Sequence, residues 1–419
     1  MNKSVYFVLV LFFFPISFLF SQDTSYARYI IDTLTSPAMH GRGYVSKGDK
    51  IAATFLANEF QKLNLQKVNA EQKDYFQKFS FPVNTFPKEI KVSIDGHELK
   101  PGVDFIVDAN SSKAKGAYEL LYIQSANLRG SLDTLKNKFI VIDKSTAKTD
   151  LEKTAMDLWI TDPHGAKGVV IIEEKKLTWS VARKKYKYPV IRILKHAIKD
   201  DAKTISVKID EKFCKKHKTQ NVVGMVKGTT MPDSFIVFTA HYDHLGRMGK
   251  ATYFPGANDN ASGISMLLNL AKHYSKHPQK YSILFIAFAG EEAGLVGSEY
   301  FVKQPLIPLK QIKFLLNMDL LGTGDDGLMV VNGDVYKDLF SKMENINNQK
   351  QYVKTLQKRG KARNSDHYWF SENEVPCFFI YTLGGITAYH DVFDKAETLP
   401  LTDYEDVFRL VTDFVSELK

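Results

Sequence analysis

Between residue 220 and the end of the chain, apolar runs of strand length alternate with stretches of helical periodicity. DSFIVFTAH, SILFIAFAG, KFLLNMD, GLMVVNG and VPCFFIYT are continuous rather than alternating, which is the pattern of strands buried on both faces. NASGISMLLNLAKHYSKH and TDYEDVFRLVTDFVSEL lie between or after them and read as helices. In the last, Val407, Phe408, Val411, Phe414, Val415 and Leu418 share one face, and Thr402 with Glu405 has capping-box spacing. Such alternation predicts an α/β fold, a doubly wound, mixed and mainly parallel sheet with helices on both faces.

Upstream, TSYARYIIDTL and GDKIAATFLANEFQKLNL read as helices, the second with Ile51, Phe55, Phe60 and Leu63 as its expected buried face. From about 85 to 215 the texture changes to short β-like runs, IKVSI, DFIVD, KFIVIDK, GAKGVVIIEE and YPVIRI, separated by Gly, Pro, Asp and Lys turns. This predicts a small β-rich domain inserted into the first. The expected organisation is residues 1–21 as a leader, 22–84 and 216–419 as the two parts of the main domain, and 85–215 as the insert.

A chain of 419 residues, 44% hydrophobic, supports one large or two ordinary cores. Its formal charge of +9 comes from scattered lysines and pieces such as KFCKKHK, a pattern of solvated surface rather than of a nucleic-acid site. MNKSVYFVLVLFFFPISFLFSQD places Lys3 before an apolar run broken by Pro15 and ended by Ser21 and Gln22, so a secretory signal peptide is expected, and with it export to a periplasm or medium. After its removal no stable membrane association is expected. The two cysteines, Cys214 and Cys377, are expected to be unpaired. With no CxxC pair, any metal must be held by His and carboxylate.

Such residues stand where the strands end. FIVFTA runs into His241, LFIAFAG into Glu291 and Glu292, and FLLNM into Asp319. In an open α/β sheet the carboxyl ends of the strands line the ligand crevice. PGANDNASG puts Asp259 at the tip of a Gly-rich turn before a helix, where Asn260 or Ser262 could serve as caps, and AYHD presents His390 after the last strand. Zinc takes imidazole and carboxylate, and two zincs about 3.5–4 Å apart need a bridging carboxylate with further ligands on each. His241, Asp259, Glu292, Asp319 and His390 meet that number. Glu291 is left over, free to face water activated by the metal and to carry its proton to a leaving amine.

HYD, PGANDNASG, GEEAGLVGSEYF, NMDLLG, SDH and YHD, in this order, resemble the zinc aminopeptidases of metallopeptidase family 28, of the secreted bacterial leucyl aminopeptidase type. The resemblance covers about 220 to 419, and AMHGRGY with the helix after it is similar to that family's entry segment. It implies a zinc exopeptidase fold, two zinc ions per chain and peptide substrates with a free N-terminus. Asp259 would bridge, His241 and Asp319 would complete one site, Glu292 and His390 the other, and Glu291 would be the general base. Asp243 resembles the carboxylate that orients a ligand histidine, and Tyr389 a tyrosine that stabilises the tetrahedral oxyanion. Asn258 stands where many members have aspartate. Asp366 and His367 fall in a stretch similar to a loop near the pocket, with a loop-fixing bond as an equal reading. His244 has no ligand counterpart and is expected to be structural. KNKFIVIDKS and GAKGVVIIEE give the insert the texture of a protease-associated domain.

Glutaminyl cyclase shares this fold and several motifs, but it typically separates the GEEA and GS segments and has tryptophan before the last histidine. Here GEEAGLVGS is uninterrupted and Tyr389 holds that place. A metal-free binding ectodomain on the same fold would have lost ligands, and all five types are present. Carboxypeptidase or dipeptidase activity differs mainly in which terminus the pocket captures.

Overall fold

Burial along the central strands is nearly continuous, with successive side chains pointing to opposite faces, as apolar runs covered on both sides require. In the computed structural model, which describes residues 24–68, 73–123 and 135–418, Ile236, Phe238 and Ala240 of the strand Met231–His241 point into one core, and Phe235 and Val237 into another. The expected leader, residues 1–21, lies outside the described residues. Among the described residues no helix is long and apolar enough to cross a membrane.

The main sheet has eight strands in the order Phe76–Thr85, Lys212–Val226, Tyr281–Phe288, Met231–His241, Ile312–Met318, Cys377–Leu383, Gly327–Val331 and Leu356–Arg359. The four central strands, from Tyr281–Phe288 to Cys377–Leu383, are mutually parallel, and antiparallel pairings join them to the strands on either side. All four therefore end at the same edge. Helices Thr24–Thr35, Gly48–Lys62, Gly263–Lys276, Lys337–Lys350 and Tyr404–Ser416 cover one face. Val296–Lys303 and His367–Glu372 cover the other, through Phe301 and Phe370. The fold class is the mixed α/β architecture expected from sequence.

Two local expectations need correction. The buried stripe of the helix Gly48–Lys62 runs through Asp49, Ala52, Ala53, Leu56 and Phe60, while Ile51 is 37% exposed. Small residues let the helix approach closely, and the larger Phe55 packs at the flank, edge-on to Tyr29. The last helix begins at Tyr404 with Asp403 at its N-cap position and no side-chain cap, so Thr402 and Glu405 form no capping box. Glu405 instead pairs with Arg409 one turn on. The apolar face of that helix is as expected: Val407, Phe408, Val411, Phe414 and Val415 are buried.

A second eight-stranded sheet is made of strands between Ile90 and Ile209, with Lys138–Asp143 and Gly168–Glu173 at its parallel centre. The antiparallel ribbon of Phe76–Thr85 and Lys212–Val226 leads into and out of it, paired as far as Thr85 and Lys212. Its core includes Phe86, Val92, Ile191 and Trp179, and continues into Leu245, Met248 and Phe254 of the segment after His241. Both cysteines are free.

Candidate metal centre

His241 closes its strand, Glu291 and Glu292 follow Tyr281–Phe288, Asp319 follows Ile312–Met318, and His390 lies beyond Cys377–Leu383. Sheet pairing puts Phe288 beside His241, so the two strand ends are in register at the crevice. Asp259 reaches it from the segment Ala257–Ser262.

That segment has a built conformation. Gly256 sits at φ +63°, and a Cβ there would meet the Asp259 carbonyl oxygen at 2.3 Å and the His244 ring at 2.4 Å, so only glycine fits. Asn260 receives the Gly263 N–H and donates to the Met318 carbonyl, tying the turn to the strand that precedes Asp319. Asp394 accepts the N–H groups of Asn258 at 2.8 Å and Asp259 at 3.0 Å, and burial lifts its carboxyl to about 6. Arg42 is fully buried and spends its guanidinium on five carbonyls, those of Tyr242, Leu34, Pro255, Gly256 and Asp259. Burial lowers it to about 10, against the attraction of Asp259, Asp394, Asp243 and Glu292.

Around Asp259 the predicted residues converge. His241 Nε2 lies 3.3 Å from Asp259 Oδ1 and 3.2 Å from Asp319 Oδ2. His390 Nε2 lies 2.9 Å from Asp259 Oδ2 and 3.3 Å from Glu292 Oε2. The two carboxylate oxygens of Asp259 thus face different histidines, the disposition of a bridging ligand. Burial raises the proton affinity of Glu291, and Glu292, Asp366 and Asp319 add to it against His241. Burial opposes protonation of His390, but Glu292 and Asp259 outweigh it and lift the ring to about 9. Buried carboxylates this close need compensating positive charge. Imidazole and carboxylate oxygen without sulfur are the ligands zinc takes, and buried Asp319 Oδ1 has no hydrogen-bond partner in the protein. The donor set fits zinc.

Asp243 stands differently from its expected place. His241 Nδ1 donates to the Asp243 carbonyl at 3.1 Å, while the Asp243 carboxylate is 4.0 Å from that nitrogen. The carboxylate instead takes the Tyr44 hydroxyl at 2.6 Å and the N–H groups of Glu291 and Glu292 at 3.2 and 3.3 Å. Its influence on the pair of glutamates is through their backbone. Burial raises it to about 6, with His241 and Tyr44 opposing. The Tyr389 ring stacks on His390 with centroids 4.0 Å apart and is 44% exposed. Burial, with Asp259 and Glu292 nearby, keeps its phenol protonated and able to donate.

His244, expected to be structural, is drawn into the cluster. Its Nδ1 contacts Glu292 Oε1 at 2.7 Å and lies 3.9 Å from Asp259 Oδ1, and its Nε2 is buried without a partner. Asp366 accepts the Ser298 hydroxyl, and burial lifts it to about 7. The neighbour of Asp366, Ser365, is the residue that reaches the centre, donating to Asp319 Oδ2 at 3.3 Å and accepting from Asn317 at 2.8 Å. His367 packs on Phe379 instead. Sequence reasoning also missed Arg42, Tyr44, Trp179 and Asp394. Arg42 and Tyr44 lie in AMHGRGY, whose likeness to an entry segment was a signal, and Asp394 stands four residues after His390.

Residues 221–415 match the model of peptidase family M28. The chain is 33% identical over 165 residues, 38% of its length, to the aminopeptidase YwaD of Bacillus subtilis, and 36% identical over 114 residues to a probable zinc metalloprotease of Leptosphaeria maculans. The matched stretches span 35% and 26% of those relatives. Among solved structures, a zinc aminopeptidase from Bacillus subtilis superposes with a TM-score of 0.68 at 22% identity, covering 94% of this chain and 95% of that one. A peptidase M28 precursor from Shewanella amazonensis gives 0.69 at 18%, covering 94% and 92%. These superpositions share the fold across nearly the whole chain.

Proposed function

We propose, from the match of residues 221–415 to the model of peptidase family M28, that the protein is an exported aminopeptidase that uses two zinc ions to remove N-terminal residues from peptides. The observation that carries the reading is the placement of Asp259 between His241 and His390, each imidazole also facing a second carboxylate, Asp319 or Glu292. His241, Asp259 and Asp319 would hold one ion, and Asp259, Glu292 and His390 the other. When bound, the ions supply Lewis acidity towards the scissile carbonyl and towards water. Names of relatives, an aminopeptidase and zinc metalloproteases, point the same way.

The chain's own residues then divide the work. Glu291, raised in proton affinity, takes a proton from the attacking water and delivers it to the departing amine. Tyr389 donates its hydroxyl to the oxygen that becomes negative as the carbonyl carbon turns tetrahedral. His244 holds Glu292 through Nδ1, and Asp243 fixes the backbone of both glutamates.

The test is metal analysis of residues 22–419 together with a panel of aminoacyl amides, their N-blocked forms, an N-terminal glutaminyl substrate and the variant Glu291→Gln. Two zincs, cleavage confined to free-amine substrates and its loss in the variant are expected. Cleavage of N-blocked substrates, or cyclisation of the glutaminyl one without amide hydrolysis, would overturn the aminopeptidase assignment.

A further inference from the structure

His390 stands at φ +54°, in the left-handed region that costs a non-glycine residue roughly 1 kcal/mol or more. A residue held there must be fixed by its surroundings, and the fixing group comes from the second sheet. After Gly168–Glu173 the chain leaves that sheet and crosses to the His390 loop. Trp179 N–H donates to the His390 carbonyl at 2.9 Å, and His390 Nδ1–H donates to the Trp179 carbonyl at 3.1 Å. Because a carbonyl only accepts, the second bond places a ring proton on Nδ1 and makes Nε2 the nitrogen that faces Asp259 and Glu292, the one a metal would take in exchange for its proton.

Trp179 is itself immobilised. Its indole N–H donates to the Val107 carbonyl at 2.7 Å, and its ring, 5% exposed, stacks on Phe254 at 4.6 Å. Phe254 directly precedes Pro255 and Gly256, the carbonyls that Arg42 holds on the way to Asp259. Three residues before Trp179, Lys176 adds a second clasp. Its ammonium donates to the Thr387 carbonyl at 2.8 Å and pairs with Asp391 at 3.0 Å, and Asp391, 7% exposed, accepts the N–H groups of Tyr389 and Phe393.

We propose that the lobe built on the second sheet completes the metal centre, with Trp179 and Lys176 as positioning residues that set the backbone and the tautomer of His390. The lobe is then a structural part of one metal position rather than only a neighbour of the cleft. This inference rests on the two-zinc reading. Loss of such outer support characteristically lowers metal affinity about 10–100-fold.

The experiment uses the full chain and the variants Lys176→Met, Trp179→Ala and Trp179→Phe. Zinc release to a chelator is followed in the loaded proteins, and amide exchange across residues 384–394 in the metal-free ones. Lys176→Met and Trp179→Ala should release one of two zincs about tenfold faster and leave the other unchanged. Their 384–394 amides should exchange faster even without metal, while Trp179→Phe, which loses the indole bond to Val107 but keeps an aromatic ring against Phe254, should fall between Trp179→Ala and wild type. Where Trp179→Ala does not fold, Lys176→Met decides alone. Unchanged release and unchanged exchange in Lys176→Met would overturn the proposal. A wild type that binds fewer than two zincs would overturn the two-zinc reading, and the metal-free exchange would still decide whether the clasp holds the loop.

Discussion

The Tyr44 hydroxyl donates to Asp243 Oδ2 over 2.6 Å, joining the entry segment of the chain to the carboxylate that receives the N–H groups of Glu291 and Glu292. Asp243 is buried, so each donor matters to its position. Tyr44→Phe should lower the unfolding free energy by about 1.5–3 kcal/mol, the usual value of a bond to a charged group. It should also lower kcat while KM changes little. Urea unfolding and steady-state kinetics on one aminoacyl amide check both, and an unchanged kcat would mean that the two backbone donors hold Asp243 alone.

Arg42 donates to five backbone carbonyls at the base of the centre, and a methionine there would remove all five bonds, the Gly256 carbonyl keeping the Ala261 N–H at 3.2 Å. Each buried unsatisfied group costs about 1–3 kcal/mol, so Arg42→Met should destabilise the fold by at least about 3 kcal/mol. Arg42→Lys can supply only three N–H donors from a different geometry and should recover part of the loss. Thermal melts of the two variants would show the order, and equal stability of Arg42→Met and wild type would contradict it.

Removal of metal should lower the melting temperature, because Asp259, Glu292 and Asp319 would then keep only the histidines and the more distant Arg42 as compensation. Zinc at about a thousandfold over its dissociation constant should restore roughly 4 kcal/mol per site. In Asp259→Asn the zinc-dependent shift should largely vanish. Differential scanning fluorimetry with chelator and added zinc gives the comparison.

His273 lies on the helix Gly263–Lys276 against Tyr274, His277 and Phe408. Burial, with His277 adding, lowers its ring to about 4. The unfolded chain therefore binds this proton more readily than the folded one. The stability contribution is complete above about pH 6.5 and is lost as pH falls towards 4. Allowing for partial exposure, about 1–2 kcal/mol should disappear across that window. His273→Gln should flatten this part of the profile in urea titrations at pH 7 and 4.5.

The sequence by itself determined the four central strands, because runs such as SILFIAFAG are apolar on both faces and suit only a sheet covered on both sides. It also determined that His241, Glu291, Glu292 and Asp319 share an edge, since parallel strands in one sheet end on the same side. Asp259 was legible from PGANDNASG because its glycines and Asn260 dictate the turn. What holds these residues is visible only in the packed chain. Arg42 serves carbonyls about 200 and more positions away, Trp179 fixes His390 through backbone groups, and His244 turns from a structural residue into a contact of Glu292. Periodicity reports which face of an element is apolar. A hydrogen bond to a distant main chain leaves no such periodic mark, because its donor is chosen by the three-dimensional course of the partner rather than by its own neighbours.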